Sequence, residues 1–208
     1  MNSKVSIVVT SMNRKNHLKR CLGSVFNNNY RNFEIILVDN GSTDGSVQYI
    51  KSLKGKVRSI FNKKNLGLIK ATNQGVFNSN GDFILFLAHD NIIDKDMIKH
   101  MLELFKIDKN IGIITPKIFY QQDPNRIWFY GVKINFFTSK FYFINKDIVD
   151  KKGKIDYDLQ VQSIHNCFMV KKEVFDKIGY FDKTYFSDHS EFDLRMRASK
   201  FYKIFISG

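Results

Sequence analysis

The sequence has only two cysteines, Cys21 and Cys167, among its 208 residues. Two cysteines do not make a disulfide framework, so we expect a reducing compartment. No stretch approaches the roughly 20 consecutive apolar residues that a membrane-spanning helix needs. Residues 1–4 lead directly into an apolar run, so no secretory signal peptide is expected. These absences favour a chain that folds around its own apolar core.

Several chemical motifs are also missing. No Gly-x-Gly-x-x-Gly follows the first apolar run, which disfavours a dinucleotide-binding fold. The sequence has no P-loop, no Cys/His spacing suited to zinc, and no Gly-x-Ser-x-Gly elbow. These gaps disfavour P-loop, zinc and serine-hydrolase chemistry.

The charge is positive and uneven. The formal net charge is +13, and residues 1–81 hold 13 Lys/Arg against three Asp/Glu. Such an excess suits a polyanionic partner: a phosphorylated ligand, a nucleic acid or an anionic membrane surface. A lysine-rich solvated surface is the commoner explanation. No nucleic-acid-binding motif is found, so a nucleic-acid partner is not expected.

The stretch FEIILVDNGSTDGS, residues 33–46, organises the chain. Its first six residues are mostly apolar and β-favouring, which predicts a strand buried on both faces of a parallel sheet. The run ends at Asp39, and turn-forming residues follow, with Asp44 or Ser46 as the predicted cap of the next helix. Ligands bind at this edge of open α/β sheets. Asp39 is therefore a candidate ligand-binding carboxylate, although a capping residue of a surface loop is the alternative.

The first 115 residues alternate between apolar runs and amphipathic segments, which predicts a doubly wound sheet. We predict strands over residues 5–10, 33–38, 57–61, 83–87 and 111–115. The intervening helices are predicted over residues 17–28 and 47–53, after Asn65, and after a cap at Asp94. In the third helix we expect Ile69, Asn73, Val76 and Phe77 on one stripe.

The second part of the chain follows a different pattern. Residues 118–144 are rich in aromatics, and residues 150–154 are typical of a hairpin turn, so we predict an antiparallel excursion. We interpret most of these aromatics as hairpin core, although an exposed fraction beside Lys140 and Lys146 would suit a membrane-facing acceptor. A strand over 165–170, a helix over 171–178, a helix over 187–200 and a strand over 202–206 follow. The abrupt end favours a fragment of a longer protein over a natural end.

Acids at strand ends are the candidates for chemistry. Asp39 and Asp90 each end a buried strand, and Asp188, Glu191 and Asp193 form a third group. Hard metal ions take oxygen ligands and neutralise a diphosphate, which suits Asp90. The cap of the following helix is an equally good interpretation of Asp90.

In their order along the chain, these segments resemble the family 2 inverting glycosyltransferases, which have the GT-A fold. The matching stretches are VSIVVTSMNR at 5–14, FEIILVDNGSTDGS at 33–46, NLG at 65–67 with Ala71 and NQG at 73–75, GDFILFLAHD at 81–90, KEVFDKIGYFD at 172–182, and EFDL at 191–194. The resemblance implies a Rossmann-like α/β fold whose mixed, mainly parallel sheet is flanked by helices. It also implies one domain over residues 1–208, with a nucleotide-sugar-binding half at 1–115 and an acceptor-binding half at 116–208.

The resemblance assigns roles to individual residues. Asp39 would accept a hydrogen bond from a uracil or thymine base, and Asp90 would hold Mg²⁺ or Mn²⁺ against the diphosphate. Glu191 would be the general base that takes the acceptor proton, with Asp188 as the second candidate. The residues implied to bind the nucleotide-sugar are Thr10, Ser11, Asn13, Asp39, Asn65, Gly67, Asn73 and His89. His165 and Asn166 fall where the family lines the acceptor site.

The chain also departs from the family pattern. Ala88 replaces the first acid of the Asp-x-Asp metal motif, and Thr10 and Met12 replace the usual Pro and Tyr of the first loop. Ser190 and Glu191 stand in place of the usual Glu-Asp pair, so the base is one methylene longer. His89, next to Ala88, could supply a nitrogen ligand to the metal. A contact with the ribose or a solvent-facing position is the preferred interpretation of His89. We expect Cys167 to be a small core residue.

The expected activity is therefore transfer of a sugar from a UDP- or dTDP-linked donor to a glycan or lipid-linked acceptor in surface polysaccharide synthesis. The expected location is cytoplasmic, with peripheral contact at the inner face of the cell membrane as an open alternative. A non-catalytic nucleotide-sugar or glycan-binding module of the same fold is the competing hypothesis, and Ala88 and the abrupt end are its support.

Overall fold

The computed structural model describes residues 3–135, 137–138, 140–150, 159–162, 164–185 and 190–208. Asp188 and most of the predicted turn at 150–154 therefore lie outside the described residues. The first part of the chain alternates strand and helix as predicted. Its elements are β1 Val5–Ser11, α1 Lys15–Phe26, β2 Phe33–Asp39, α2 Ser46–Ser52, β3 Arg58–Phe61, α3 Leu68–Phe77, β4 Phe83–Ala88, α4 Met97–Ile107 and β5 Ile111–Pro116.

The second part holds short antiparallel pairs and the last strands of the main sheet. Its elements are β6 Ile118–Phe119, β7 Ile127–Phe129, β8 Val132–Asn135, β9 Lys140–Phe143, β10 Leu159–Gln160, β11 Cys167–Lys171, α5 Lys172–Ile178, α6 Ser190–Ala198 and β12 Lys203–Ser207. β6 pairs with β7, and β8 with β9, both antiparallel and separate from the main sheet. The predicted antiparallel excursion is therefore present.

An eight-stranded sheet in the order β10-β12-β5-β11-β4-β1-β2-β3 forms the centre of the molecule. The pairs β1–β2, β1–β4, β2–β3 and β5–β12 are parallel. β11 is antiparallel to both of its neighbours, β4 and β5, and β10 is antiparallel to β12. The sheet is mixed and mainly parallel, as expected.

Two apolar layers cover the two faces of the sheet because neighbouring residues of a strand point to opposite sides. Ile7 and Val9 pack with α1, α2 and α4 on one face. Val8 packs on the other face with α3, α5, α6 and the β7–β8 region. This double burial accounts for the nearly continuous apolar sequence of β1, β2 and β4.

Two details of the helices differ from the prediction. Phe77, expected on the buried stripe of α3, is 58% exposed and packs its ring against Tyr180. As the last residue of α3, it lies beyond the sheet that covers Ile69 and Val76. Asp94 does not cap α4 with its side chain: the helix begins at Met97, and the Asp94 carboxylate accepts a hydrogen bond from the Asp96 N–H. Among the helices that the structure describes, none is long and apolar enough to cross a bilayer.

Candidate active site

The candidate site lies where β1, β2 and β4 end. Ser11 of β1 pairs with Asp39 of β2, and Thr10 pairs with Ala88 of β4. Because paired residues of parallel strands point to the same face, the Ser11 and Asp39 side chains lie side by side. The sheet therefore brings together the residues that the sequence placed at separate strand ends.

Asp39 is 1% exposed, and its two carboxylate oxygens have different surroundings. Oδ1 accepts hydrogen bonds from the main-chain N–H groups of Gly41 at 3.2 Å and Ser42 at 2.9 Å. Oδ2 is buried and has no partner. One oxygen thus shapes the turn after β2, while the other has no donor group among the residues that the structure describes.

The loop after β2 is held against the loop before α3 by amide side chains. The Asn40 amide donates to Asn65 Oδ1 at 2.8 Å and to the Gly67 carbonyl at 3.3 Å. Its oxygen accepts hydrogen bonds from the Asn62 amide and the Leu66 N–H, each at 3.1 Å. Asn65 and Gly67 are therefore part of a fixed wall beside Asp39. Sequence reasoning missed Asn40 because an Asn before Gly is an ordinary turn residue.

Gly41 is required by the close approach of these two loops. Its φ is +90°, a conformation that side-chain-bearing residues rarely adopt. A Cβ at this position would lie 2.9 Å from the main chain of Lys64. The glycine of the organising stretch thus lets the wall close beside Asp39.

Asn13 and Asn73 have structural contacts that the sequence did not reveal. Asn13 Oδ1 accepts the Thr43 N–H at 2.7 Å, which joins the loop after β1 to the loop after β2. Asn73 is 2% exposed, and its amide both donates to the Phe181 carbonyl and accepts the Phe181 N–H. It ties α3 to the segment after α5. These contacts position the site's walls.

A cavity of about 100 Å³ opens beside the end of β1 and β4. It is lined by Thr10, Ala88, Asn166 and Glu191, together with apolar residues of α3 and the sheet. Asn166 Oδ1 is buried and has no hydrogen-bond partner. Glu191 lies in the first turn of α6 and is half-buried. The structure therefore brings the candidate base into the same cavity as Thr10 and Asn166.

Asp90 lies apart from that cavity. It is exposed and lines a larger one, of about 610 Å³, at the ends of β4, β5 and β12. This second cavity also holds Asp94, His100 and Tyr120. Ala88 lines the smaller cavity and Asp90 the larger, so the turn after β4 borders both.

Burial favours the neutral form of both histidines beside the site. Burial lowers the pKa of His89, and this outweighs the opposing effects of the Asp90 charge and of the Thr10 carbonyl, 3.3 Å from Nδ1. Burial also lowers the pKa of His165, whose Nδ1 accepts the Asn166 N–H at 2.9 Å and whose ring packs edge-on against Trp128. His165 thus holds the main chain of Asn166, one of the residues that line the smaller cavity.

Arg195 was missed by sequence reasoning. It is 3% exposed, its guanidinium lies over the Phe192 ring at 4.6 Å, and its Nε has no hydrogen-bond partner. A Glu and an Arg four residues apart on a helix are usually read as a solvent-exposed pair, which hid this residue. Asp193, by contrast, forms an ion pair with Arg197 at 2.7 Å. That pair fixes α6 to α5, because Arg197 also donates to the Ile178 carbonyl.

Buried polar atoms without partners concentrate at this site. In the part of the chain that the structure describes, four buried side-chain atoms lack a hydrogen-bond partner: Ser11 Oγ, Asp39 Oδ2, Asn166 Oδ1 and Arg195 Nε. Such atoms are rare in folded proteins, because each costs about 1–3 kcal/mol. Three belong to residues that the sequence assigned to ligand binding, and the fourth lies one turn from Glu191.

The two cysteines are buried and free. Burial raises the pKa of the Cys21 thiol to about 12 and also raises that of Cys167. Both are core residues, as expected for Cys167.

A comparison with known proteins decides the family. The family model described as glycosyl transferase family 2 matches residues 6–179. The chain belongs to glycosyltransferase family 2. An uncharacterized glycosyltransferase of Rickettsia typhi is 27% identical over 204 residues, which are 95% of this chain and 60% of that protein. The glycosyltransferase GlyG of Streptococcus pneumoniae is 24% identical over 207 residues, which are 97% of this chain and 66% of that protein. The chain thus spans 60% and 66% of the lengths of these two relatives.

Two solved structures share the GT-A fold seen here. The crystal structure of residues 1–349 of Staphylococcus aureus TarS in complex with UDP superposes with a TM-score of 0.72, at 17% identity, over 98% of this chain and 57% of that one. The mannosyltransferase PcManGT of Pyrobaculum calidifontis, in complex with GDP-Man and Mn²⁺, gives a TM-score of 0.71 at 14% identity, over 99% of this chain and 55% of that one. The mixed, mainly parallel sheet flanked by helices therefore matches the GT-A fold of these neighbours.

The residues around Asp90 offer few ligands for a divalent cation. In the described ranges, no group of three or more His, Cys, Asp or Glu side chains could hold a metal ion. Asp90 can offer one carboxylate, with an open cavity in front of it. Because Mg²⁺ is commonly bound by one or two carboxylates plus substrate phosphates, the residues fit a cation that binds together with a diphosphate.

Proposed function

We propose that this chain is an inverting glycosyltransferase that transfers a sugar from a UDP- or dTDP-linked donor to a glycan or lipid-linked acceptor. The observation that carries the proposal is the set of unpartnered buried oxygens of Ser11, Asp39 and Asn166 at the strand ends. A pyrimidine nucleotide-sugar offers what they lack: an imide N–H for Asp39 Oδ2, and hydroxyl groups for Ser11 and Asn166. UDP-GlcNAc bound to TarS and GDP-Man bound to PcManGT support a nucleotide-sugar donor.

The proposed reaction is one displacement. The acceptor oxygen attacks the anomeric carbon from the face opposite the diphosphate, and the bond from that carbon to the diphosphate oxygen breaks with its electron pair. Glu191 takes the proton of the acceptor hydroxyl as the new bond forms. Asp90 would hold a Mg²⁺ or Mn²⁺ ion, which would supply neutralisation of the charge on the diphosphate. Configuration at the anomeric carbon is inverted.

The remaining predictions join this proposal. Residues 1–115 would bind the donor, and residues 116–208 the acceptor. His165 and Asn166 would contact the acceptor, and Asp188 stays the second candidate base. We propose a role in surface polysaccharide synthesis and a cytoplasmic location with peripheral membrane contact.

The competing hypothesis is a nucleotide-sugar-binding module without transfer activity. It is favoured by Ala88, which leaves Asp90 without a second acid from the family's metal motif. A donor panel separates the two: thermal shift and hydrolysis against UDP-, dTDP- and GDP-sugars with Mn²⁺. We expect binding and slow hydrolysis with a UDP- or dTDP-sugar. Binding with neither hydrolysis nor transfer to any acceptor would favour the module, whereas no binding to any donor would contradict both.

A further inference from the structure

The β8–β9 hairpin exposes aromatic side chains that would ordinarily be buried. Phe137, in the turn, is 98% exposed, and Phe141, Tyr142 and Phe143 of β9 are each more than half exposed. Single exposed apolar residues are common, but a contiguous exposed patch marks a surface that contacts a partner or a membrane.

The register of the hairpin places two lysines beside Tyr142. Lys133 pairs with Tyr142, and Asn135 pairs with Lys140, so these side chains share one outward face. Phe141 and Phe143 pair with the buried Ile134 and Val132, so they belong to the opposite face. Lys146 lies 4.8 Å from the centre of the Phe143 ring. None of the three lysines forms an ion pair with a residue that the structure describes. Their positive charge is therefore available to an anionic partner.

The hairpin has a fixed base and a projecting tip. Val132 and Ile134 of β8 are buried in the apolar layer of the main sheet. At the tip, Asn135 Oδ1 accepts the N–H groups of Phe137 and Thr138 at 3.0 and 3.1 Å. The turn is thus held in a conformation that presents Phe137 to solvent.

We propose that this hairpin patch, formed by Lys133, Phe137, Lys140 and Tyr142, docks on an anionic lipid bilayer. Aromatic rings are favoured at the level of the lipid headgroups, and lysines bind the anionic headgroups beside them. The net charge of +13 attracts the whole chain to such a surface. The inference rests on the membrane contact in the proposed function and names the surface that makes it, but it does not depend on sugar transfer.

Charge argues against a second copy as the occupant of the patch. A self-associated pair would bring the unpaired Lys133 and Lys140 of two hairpins close together, and like charges repel. Asp147 is the nearest acid in sequence to Lys146, and it already accepts a hydrogen bond from the Tyr120 hydroxyl at 2.6 Å. An anionic bilayer satisfies both the rings and the lysines.

The test is co-sedimentation of the full chain with vesicles, without donor or acceptor. We expect binding to phosphatidylcholine vesicles with about 30 mol % phosphatidylglycerol, little binding to phosphatidylcholine alone, and weakening in about 0.5 M salt. Phe137→Ser should lower vesicle affinity about tenfold, through the loss of one buried ring. Lys133→Gln with Lys140→Gln should lower it about 30-fold, at about fivefold per lysine.

Matched variants elsewhere on the surface serve as controls. Ile107 at the end of α4 is 75% exposed, so Ile107→Ser removes a comparable apolar side chain. Lys99→Gln with Lys106→Gln removes two exposed lysines of α4. These controls should leave vesicle affinity and melting temperature unchanged, and Phe137→Ser should also leave the melting temperature unchanged.

Three results would overturn the proposal. They are no binding of the unmodified chain to anionic vesicles, equal binding by Phe137→Ser, and self-association that Phe137→Ser abolishes. The last would assign the patch to a second copy. Donor affinity measured on the same variants keeps failure of the docking surface distinct from failure of the nucleotide site.

Discussion

Ser11 and Asp39 lie opposite each other as the last pair of the β1–β2 ladder, and each keeps a buried oxygen without a hydrogen-bond partner. Each such atom destabilises the folded chain, so a ligand that supplies the missing hydrogen bonds is bound with a matching gain. The strand ends fix where these two oxygens lie before any ligand arrives. The pair is therefore the most direct test of the proposed nucleotide site.

We predict that Asp39→Asn weakens UDP binding by about 10- to 100-fold, the value of a hydrogen bond to a charged group. Asparagine keeps an oxygen that can accept the Gly41 and Ser42 N–H groups, so the turn should persist. The NH₂ group of the asparagine would then face the imide N–H of the base, and two donors cannot form a hydrogen bond with each other. Isothermal titration calorimetry with UDP measures the change.

The control for this variant is Asp44→Asn. Asp44 also accepts main-chain N–H groups in the same loop, from Lys15 and Ser46, yet it has no unpartnered buried oxygen. We expect its UDP affinity to match that of the unmodified chain. Equal UDP affinity in Asp39→Asn and the unmodified chain would remove Asp39 from the nucleotide site.

The second prediction concerns the cation. Because Asp90 offers one carboxylate, Mn²⁺ should bind weakly alone and more tightly with UDP, whose phosphates add oxygen ligands. Asp90→Asn should abolish this gain, and Ala88→Asp should increase Mn²⁺ affinity. Calorimetry of Mn²⁺ with and without UDP gives both values.

Asp94→Asn is the control for the cation, since Asp94 lines the same cavity as Asp90 four residues along. It should bind Mn²⁺ and UDP as the unmodified chain does. Mn²⁺ affinity that is the same with and without UDP would count against Asp90 as a ligand shared with the diphosphate.

The third prediction tests how α3 packs against β1. A Cβ on Gly75 would lie 2.3 Å from Val8 Cγ1. Gly75→Ala should therefore destabilise the chain by about 1–3 kcal/mol, the usual cost of overpacking. Gly23 lies inside α1, and a Cβ there would meet nothing within 4 Å, so Gly23→Ala should stabilise by about 0.5–1 kcal/mol. Urea unfolding measures both.

Val8→Ala provides the partner variant for a double-mutant cycle with Gly75→Ala. Removing the Val8 methyl groups makes room for the new Cβ, so the double variant should be more stable than the sum of the single effects predicts. Additive effects would show that the two residues are not in contact.

The fourth prediction is a pH dependence of stability. Burial lowers the pKa of His89 and of His165 from an ordinary value of 6.5. Below that value the unfolded chain binds protons that the folded chain does not, so the folded state loses stability as the pH falls. The melting temperature should therefore fall between about pH 7.5 and 5.5.

His165→Gln should reduce this fall, because one of the two buried imidazoles is then absent. The control is His100→Gln, on the exposed side of α4. It should show the same fall as the unmodified chain. A melting temperature that is constant over the range, or that rises as the pH falls, would contradict the assignment.

Local sequence patterns predicted the strands and their acidic ends because each strand's apolar run is set by its own neighbours. The insertion of β11 between β4 and β5 could not be predicted in this way, since it depends on pairing between segments that are far apart in the sequence. The burial of Arg195 could not be predicted in this way either. The same holds for the two hydrogen bonds between the Asn73 side-chain amide and the main chain of Phe181. The exposed hairpin rings also exceeded the fraction expected from the aromatic pattern.

The fifth prediction concerns the proposed base. Glu191 shares a cavity with Thr10 and Asn166, and its Oε2 accepts a hydrogen bond from the Ser190 hydroxyl at 3.2 Å. Glu191→Gln keeps the size and hydrogen bonding of the side chain but removes its basicity. Sugar transfer should fall by about 10²- to 10⁴-fold, the usual contribution of a general base. Donor affinity should not change, which steady-state kinetics and calorimetry together establish.

Asp188→Asn is the comparison that locates the base. Asp188 lies outside the described residues, so only the sequence supports it as the second candidate. If Glu191 is the base, Asp188→Asn should lower transfer far less than Glu191→Gln. Full transfer in Glu191→Gln together with a large loss in Asp188→Asn would move the base to Asp188. A different outcome is that the unmodified chain binds the donor firmly and transfers sugar to none of the acceptors tried. That result would favour the binding module, because a module binds the donor but does not deprotonate an acceptor.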